Sequence, residues 1–305
     1  MPLPGANGKR KNQNSLPPVP RPRRASVSPP RPALVDATAD RRYPADMKLI
    51  DTHCHLTNPR LRDDVDAVLD RAAGAGVIAC ICAAANLAES RLSQTLASRK
   101  GNVRFIAGIH PHEAKDAPED YLRELENLAA DANNVAIGEI GLDYHYDFSP
   151  RRQQQLVFQQ QLDLAKRLGK PVVIHTREAF DDTLAILANS GIETTTVLFH
   201  SFTEGPAGGA KALDIGAMIS FSGISTFANA QEIRRLATLA PESRLMVETD
   251  APFLSPEPVR RMKTNEPANV SHVAACLAAA RGMDAEEFAQ ITTDNAIAFF
   301  NLTGI

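Results

Sequence analysis

The chain has 305 residues, 44% of them hydrophobic, and 33 Lys/Arg against 36 Asp/Glu, for a net charge of −3. That length suffices for one large domain with a full core. Four scattered cysteines (Cys54, Cys80, Cys82, Cys276) exclude a disulfide framework, no apolar run is long enough to cross a membrane, and the N-terminus lacks the apolar core of a secretory signal.

Residues 1–46 hold ten of the 21 prolines and nine Lys/Arg against three acids, a net of +6 that leaves −9 on the remainder. This segment lacks hydrophobic periodicity and is expected to be a disordered basic Pro/Arg-rich tail, either a tether to nucleic acid or acidic surfaces, or a solvated tail or over-long gene start before Met47. Its Arg23-Arg24-Ala25-Ser26 run resembles a basic-directed phosphorylation site. From Met47 onward, short apolar runs alternate with amphipathic stretches. Lys48–His53 reads as a strand and Leu61–Ala75 as a helix, and Val77–Ala84 with Leu87–Arg99 repeats the pair. The pattern continues through Val103–Ile109 and Glu119–Ala132, Val135–Ile140 and Pro150–Leu168, and Val172–His175 and Phe180–Asn189. Thr195–His200 with Ala207–Asp214, Ala217–Phe221 with Ala230–Ala237, and Leu245–Glu248 with the helices after Asn269 complete eight units. The runs are Val/Ile-rich, as strands buried on both faces should be. Gly76, Gly169, Gly191 and Gly216 fall where helices should end in a left-handed residue. Eight strand–helix units predict an α/β fold, a single-domain (β/α)8 TIM barrel over 47–305, with an open doubly wound sheet as the alternative. No Gly-x-Gly-x-x-Gly turn follows the first strand, which weakens a dinucleotide-binding reading.

The metal-capable side chains fall at strand ends. His53 and His55 close the first strand, Glu139 the fourth, His175 the fifth, His200 the sixth and Asp250 the eighth. Strand C-termini of a barrel open onto one face, so these six side chains should converge there. Each alone has an ordinary structural explanation, as a hydrogen-bonded core histidine, a paired acid or a loop cap. Together, four imidazoles and two carboxylates are hard to bury as packing, and a shared metal explains them. Six ligands exceed what one catalytic zinc uses, so two cations are expected, with Glu139 central in strand order and able to bridge. The imidazole-rich set suits Zn²⁺ or Mn²⁺ better than Mg²⁺, although open, wet sites accept Mg²⁺.

These segments, Asp51-Thr-His-Cys-His55, Gly108-Ile-His-Pro-His112, Gly138-Glu-Ile-Gly-Leu-Asp143, the His175 and His200 runs, Glu248-Thr-Asp-Ala-Pro252 and Asn265-Glu-Pro267, together resemble the TatD family of metal-dependent deoxyribonucleases, amidohydrolase-like barrels with two divalent metals. The resemblance implies that His53, His55 and Asp250 hold one metal, His175 and His200 the other, with Glu139 bridging. It implies a role for His110 at the substrate phosphate. His112 and His145 are expected to face solvent. Two departures bear on substrate. Phe202-Thr203-Glu204 puts a carboxylate where the family has Phe-Ser/Thr-Gly, and Arg260-Arg261-Met262-Lys263-Thr264 differs from the family's common Arg-Gly-Lys-Arg but retains three cations. Lys263 and Arg177 are candidate phosphate contacts.

The expected reaction is DNA phosphodiester hydrolysis by a metal-activated water, exonucleolytic, with Asp250, Glu139 and His110 as catalytic residues. An acidic body speaks against a wide grip on duplex DNA and for single-stranded or frayed ends. Aromatics are only 5% and Trp is absent, so extended base-stacking platforms are not expected. D-aminoacyl-tRNA deacylation, or another ester or amide hydrolysis of the amidohydrolase-like class, is the alternative on the same site, which would make tRNA a partner. A non-catalytic binding barrel is disfavoured by the complete ligand set. A monomeric cytoplasmic protein without membrane partners is expected.

Overall fold

Short strands rich in Val, Ile and Leu pair side by side in chain order, each followed by helix, in a computed structural model that describes residues 47–304. The basic tail, with its phosphorylation-like run, lies outside the described residues. The eight strands are β1 (Leu49–Cys54), β2 (Val77–Cys82), β3 (Val103–Ala107), β4 (Asn134–Asp143), β5 (Val172–Arg177), β6 (Val197–Phe199), β7 (Met218–Phe221) and β8 (Leu245–Val247), all parallel. The helices are α1 (Val65–Gly74), α2 (Leu87–Arg99), α3 (Tyr121–Ala129), α4 (Arg151–Leu168), α5 (Phe180–Ser190), α6 (Gly205–Asp214), α7 (Gln231–Leu239), α8 (Val270–Arg281) and α9 (Ala285–Phe300). The expected TIM barrel is the observed fold. Among the described residues no helix is long and apolar enough to cross a membrane.

Alternate strand residues sort into two cores, as the period-2 geometry of a strand requires. Leu49, Val77, Val103, Phe105, Val172 and Ile174 pack outward under the helices, with the buried thiols of Cys54, Cys80 and Cys82 among them. Ile50, Ile81, Ile106, Ala136, Val173, Leu198, Met218 and Met246 form a smaller cluster inside the barrel, joined by Phe300 at the end of α9 and Leu302 just beyond it. Helices α4 and α5 stop at Gly169 (φ +63°) and Gly191 (φ +65°), the left-handed ends the sequence predicts.

The barrel closes where β8 meets β1. The Thr52 hydroxyl donates to the Val247 carbonyl at 2.9 Å, and a parallel bridge joins Cys54 to Ala251. This seam carries three of the expected ligands. A second irregularity positions a fourth. Between Ile137 and Ile140, three steps along β4, the partner β5 advances only two, from Val172 to Ile174. The extra residue is a bulge, and it puts Ile137 and Ile140 on the same outward face. Glu139 therefore sits inside a ten-residue strand rather than at its end, which corrects the expected boundary at Ile140. The Gly138–Glu139 peptide is cis.

Candidate metal centre

The end of β1 and the loop after β8 are laced together by main-chain and carboxylate hydrogen bonds. Asp51, fully buried, accepts from the Thr249 amide at 2.9 Å and the Thr249 hydroxyl at 2.5 Å. The Asp250 amide donates to the His53 carbonyl at 2.9 Å and the His55 amide to the Ala251 carbonyl at 2.6 Å. Asp250 takes a left-handed φ of +56°, a conformation Asp tolerates better than most side chains. These contacts turn the Asp250 carboxylate toward both histidines, 3.4 Å from His55 Nε2 and 3.9 Å from His53 Nε2.

Glu139 lies at the middle of the set, only 3% exposed, with each oxygen facing a different side. Oε2 lies 3.3 Å from His53 Nε2 and 3.8 Å from His55 Nε2. Oε1 lies 2.8 Å from His200 Nε2, 3.1 Å from His175 Nδ1 and 3.4 Å from His110 Nε2. The His53 and His200 rings stack with centroids 4.0 Å apart. All six expected ligands are thus brought together, and His110 joins them.

Whether this set fits a cation is decided by its hydrogen bonding. Both ring nitrogens of fully buried His53 lack a hydrogen-bond partner, a costly state for buried polar atoms. A cation on Nε2 relieves half of that cost. Other rings are held from behind. His175 gives its Nε2 side to Asp143 Oδ2 at 2.9 Å, which leaves the Nδ1 lone pair facing Glu139 and His200. His200 gives its Nδ1 side to Glu248 Oε1 at 3.2 Å, which leaves Nε2 for the centre. A ring that donates backward to a carboxylate and points a lone pair inward is the tautomer a divalent metal needs. Three overlapping groups place their ligand atoms within 4.8 Å of one another: His53, His55 and Asp250; His53, Glu139 and His200; His110, Glu139 and His175. The residues fit a divalent cation, and more than one position is available.

His110 differs from the other rings. Its Nδ1 accepts the His112 amide at 3.1 Å, so the proton of the neutral ring sits on Nε2, the atom aimed into the centre. Burial depresses its pKa to about 4, which keeps the ring neutral. It presents a donor there rather than a lone pair.

The electrostatics agree with a site built for positive charge. Burial works to raise the Glu139 pKa, but His200, His110 and His53 outweigh it and hold the carboxyl well below its usual range. Burial likewise acts against Asp250, and its pairing with His55 keeps it low, so the carboxylate is ionised at neutral pH. His200 is raised well above its ordinary value: burial opposes this, but Glu139 and Glu248 prevail.

Several residues that the sequence reading passed over also belong here. Asp143 appears in the Gly138–Asp143 motif without an assigned role, yet it holds both His175 and His112. Glu248 precedes a ligand by two residues and holds His200. His112 is not a solvent-facing residue: its side chain is 24% exposed and bonded to Asp143 at 2.9 Å. His145 is exposed, as expected, and pairs with Glu178 at 2.7 Å. The proposed substrate contacts fare unevenly. Arg177 ends β5 with its guanidinium 4.9 Å from the Tyr146 ring centre, while Lys263 is exposed and among the described residues makes no ion pair or side-chain hydrogen bond. Glu204 lies with Glu178, Asp181, Asp182 and Lys211 around a cavity between α5 and α6.

A family model described as TatD related DNase matches residues 50–301. The chain is 42% identical over 259 residues to the uncharacterized metal-dependent hydrolase YcfH of Escherichia coli (strain K12), covering 84% of this chain and 97% of that one. It is 33% identical over 258 residues to the 3′-5′ ssDNA/RNA exonuclease TatD of Klebsiella pneumoniae, covering 83% and 98%. Among solved structures, the TatD homologue YjjV of Escherichia coli K12 superposes with a TM-score of 0.79 at 30% identity, covering 83% of this chain and 98% of that chain. The matches run the length of the barrel and take in every segment that supplies a candidate ligand, so the chain belongs to the TatD family of metal-dependent hydrolases.

Proposed function

We propose that this protein hydrolyses phosphodiesters at single-stranded or frayed DNA ends, as an exonuclease, with two divalent cations held by His53, His55 and Asp250 on one side and His175 and His200 on the other, Glu139 bridging. The observation that carries this reading is the division of Glu139, whose Oε2 faces the His53/His55 side and Oε1 the His175/His200 side. A relative described as a 3′-5′ ssDNA/RNA exonuclease supports the substrate class.

When bound, divalent cations at such a centre supply Lewis acidity toward the phosphate and a nucleophile at neutral pH. The chain's own groups do the rest. Asp250, ionised and beside His55, accepts the proton of the attacking water. His110, neutral with its proton on Nε2, donates to a non-bridging phosphate oxygen, on which negative charge grows during attack. The new P–O bond forms as the bond to the leaving oxygen breaks, and solvent returns a proton to that oxygen. Asp143 and Glu248 keep His175 and His200 in the required tautomers.

The test incubates metal-loaded protein with end-labelled single-stranded DNA and, separately, with D-aminoacyl-tRNA. Release of mononucleotides is the expected result, with Glu139→Ala lowering kcat/KM by about a thousandfold or more and its metal content below that of wild type. Rapid ester cleavage with intact DNA would replace the nuclease reading by a deacylase one.

A further inference from the structure

Three aromatic side chains are large and exposed among the described residues: Tyr146 at 47%, Phe148 at 55% and Phe253 at 45%. All three border the metal centre, from two different loops. Tyr146 and Phe148 stand in the loop after β4 and stack on each other, with centroids 5.1 Å apart and planes 21° from parallel. Phe148 packs its ring 4.8 Å from that of His112, which in turn lies 4.3 Å from His110, the inward-facing donor. Phe253 stands in the loop after β8, with its ring 5.9 Å from that of His55.

Neither loop is loosely placed. The Tyr146 amide donates to Asp143, the carboxylate that holds His175, at 2.9 Å. The Phe253 amide donates to the Asp250 carbonyl at 2.9 Å, and buried Asn265 donates to the Phe253 carbonyl at 2.7 Å. A cation from another part of the chain stands beside each loop, Arg177 at the end of β5 and Arg60 after β1. The Arg177 guanidinium lies 4.9 Å from the Tyr146 ring centre, and that of Arg60 5.7 Å from the Phe253 ring centre. Among the described residues neither arginine meets a carboxylate, whereas the nearby carboxylates of Glu178 and Asp147 are engaged by His145 and Arg151.

An exposed planar ring beside a guanidinium without a carboxylate partner matches the repeating unit of a nucleic-acid strand, a base next to a phosphate. We infer that Tyr146 with Phe148, and Phe253 across the centre, stack successive bases of a single strand, while Arg177 and Arg60 meet the phosphates on either side of the bond at the cluster. The inference rests on the nuclease reading and adds its specificity: an unpaired strand of at least two nucleotides. A duplex end enters only after fraying, because stacked and paired bases cannot splay onto the rings.

The test compares holoenzyme turnover of a ten-residue oligothymidylate with that of an abasic sugar–phosphate strand of the same length. Loss of one stacked base corresponds to about a 5- to 150-fold weakening. Wild type should therefore show a KM for the abasic strand at least tenfold above that for the oligothymidylate. In Tyr146→Ala/Phe148→Ala and in Phe253→Ala that ratio should fall toward one, through a rise in the oligothymidylate KM rather than a fall in kcat. Phe148→Trp, which keeps a ring, should retain the preference. If wild type turns over both strands with equal KM, or the alanine variants keep the preference, the stacking inference falls and the nuclease reading stands. If wild type cleaves neither strand, both fall. A change of molecular mass in the alanine variants with unchanged KM would assign the rings to a protein–protein contact and overturn the inference.

Discussion

Asp143 carries more of the site than its place in the chain suggests. One of its oxygens receives both His175 Nε2 and His112 Nε2 at 2.9 Å, and the other accepts the amides of His145 and Tyr146. Burial alone would raise its pKa, but the two histidines and the Tyr146 amide hold it far below the usual carboxylate range. It is therefore a permanent anion that fixes the His175 proton on the side away from the centre. Asp143→Asn removes the charge and offers N–H where an acceptor is needed, so His175 is free to change tautomer. The expected result is a 10- to 100-fold loss of metal affinity, on the order of what such supporting carboxylates contribute, with the fold retained by circular dichroism. Metal titration by calorimetry checks it, and wild-type affinity in the variant would show that Asp143 does not set the tautomer. At this scale the sequence revealed the candidate ligands because their chemistry is rare at strand ends. It did not reveal their supports, since Asp143 and Glu248 read as ordinary acids until the fold brings them behind an imidazole. The 5% aromatic content is silent in a related way, because composition reports how many rings exist and not where the exposed ones stand.

Strand β4 shows why element boundaries were less legible than element identities. Gly138 and Gly141 look like interruptions in an apolar run, so the sequence ends the strand at Ile140. The structure carries it to Asp143, because Gly141 at φ +136° lets β4 approach β5 where any other residue would collide. A Cβ at Gly141 would lie 1.9 Å from the His175 carbonyl oxygen, a backbone atom that cannot move aside without breaking the β4–β5 pairing. Gly141→Ala is thus expected to cost about 3 kcal/mol or more through clash and forbidden φ. That corresponds to a fall in Tm of roughly 6–12 °C for a domain of this size. Differential scanning calorimetry measures it, and a Tm within 2 °C of wild type would show that the strands part at little cost. The same substitution should weaken metal binding, since the pairing it disturbs joins Gly141 to His175 itself. The strand–helix alternation, by contrast, was readable throughout, because buried parallel strands and amphipathic helices differ in both length and period.

For the whole molecule, the centre is a tie between distant parts of the chain. Candidate ligands come from β1, β4, β5, the end of β6 and the loop after β8, so a bound cation opposes separation of all of them. Binding to the native state alone adds about 4 kcal/mol at a thousandfold excess over Kd. Metal-loaded protein should consequently melt several degrees above the chelated form, and the difference should shrink in His53→Ala. Equal melting temperatures with and without chelator would argue against tight binding at this centre. The barrel's other closure is mechanical, and it bears on the basic N-terminal segment. Met47 is 1% exposed, the Leu49 amide donates to the Gly76 carbonyl, and the Lys48 carbonyl accepts from Thr293 of α9 at 2.9 Å. The first strand is therefore anchored from Met47 onward by contacts within the barrel. A chain starting at Met47 should keep its Tm within about 2 °C and its metal affinity unchanged. The segment removed carries a net +6 and the remainder −9, so an electrostatic contribution to substrate binding will appear as salt dependence. Measuring KM for a single strand between low and moderate salt in both forms separates the cases: parallel lines mean that the barrel alone holds the strand, whereas a shallower slope in the truncated form means that the segment contacts phosphates. Parallel lines are expected, because the aromatic and arginine pairs beside the centre are built from residues 60–253, wholly within the barrel.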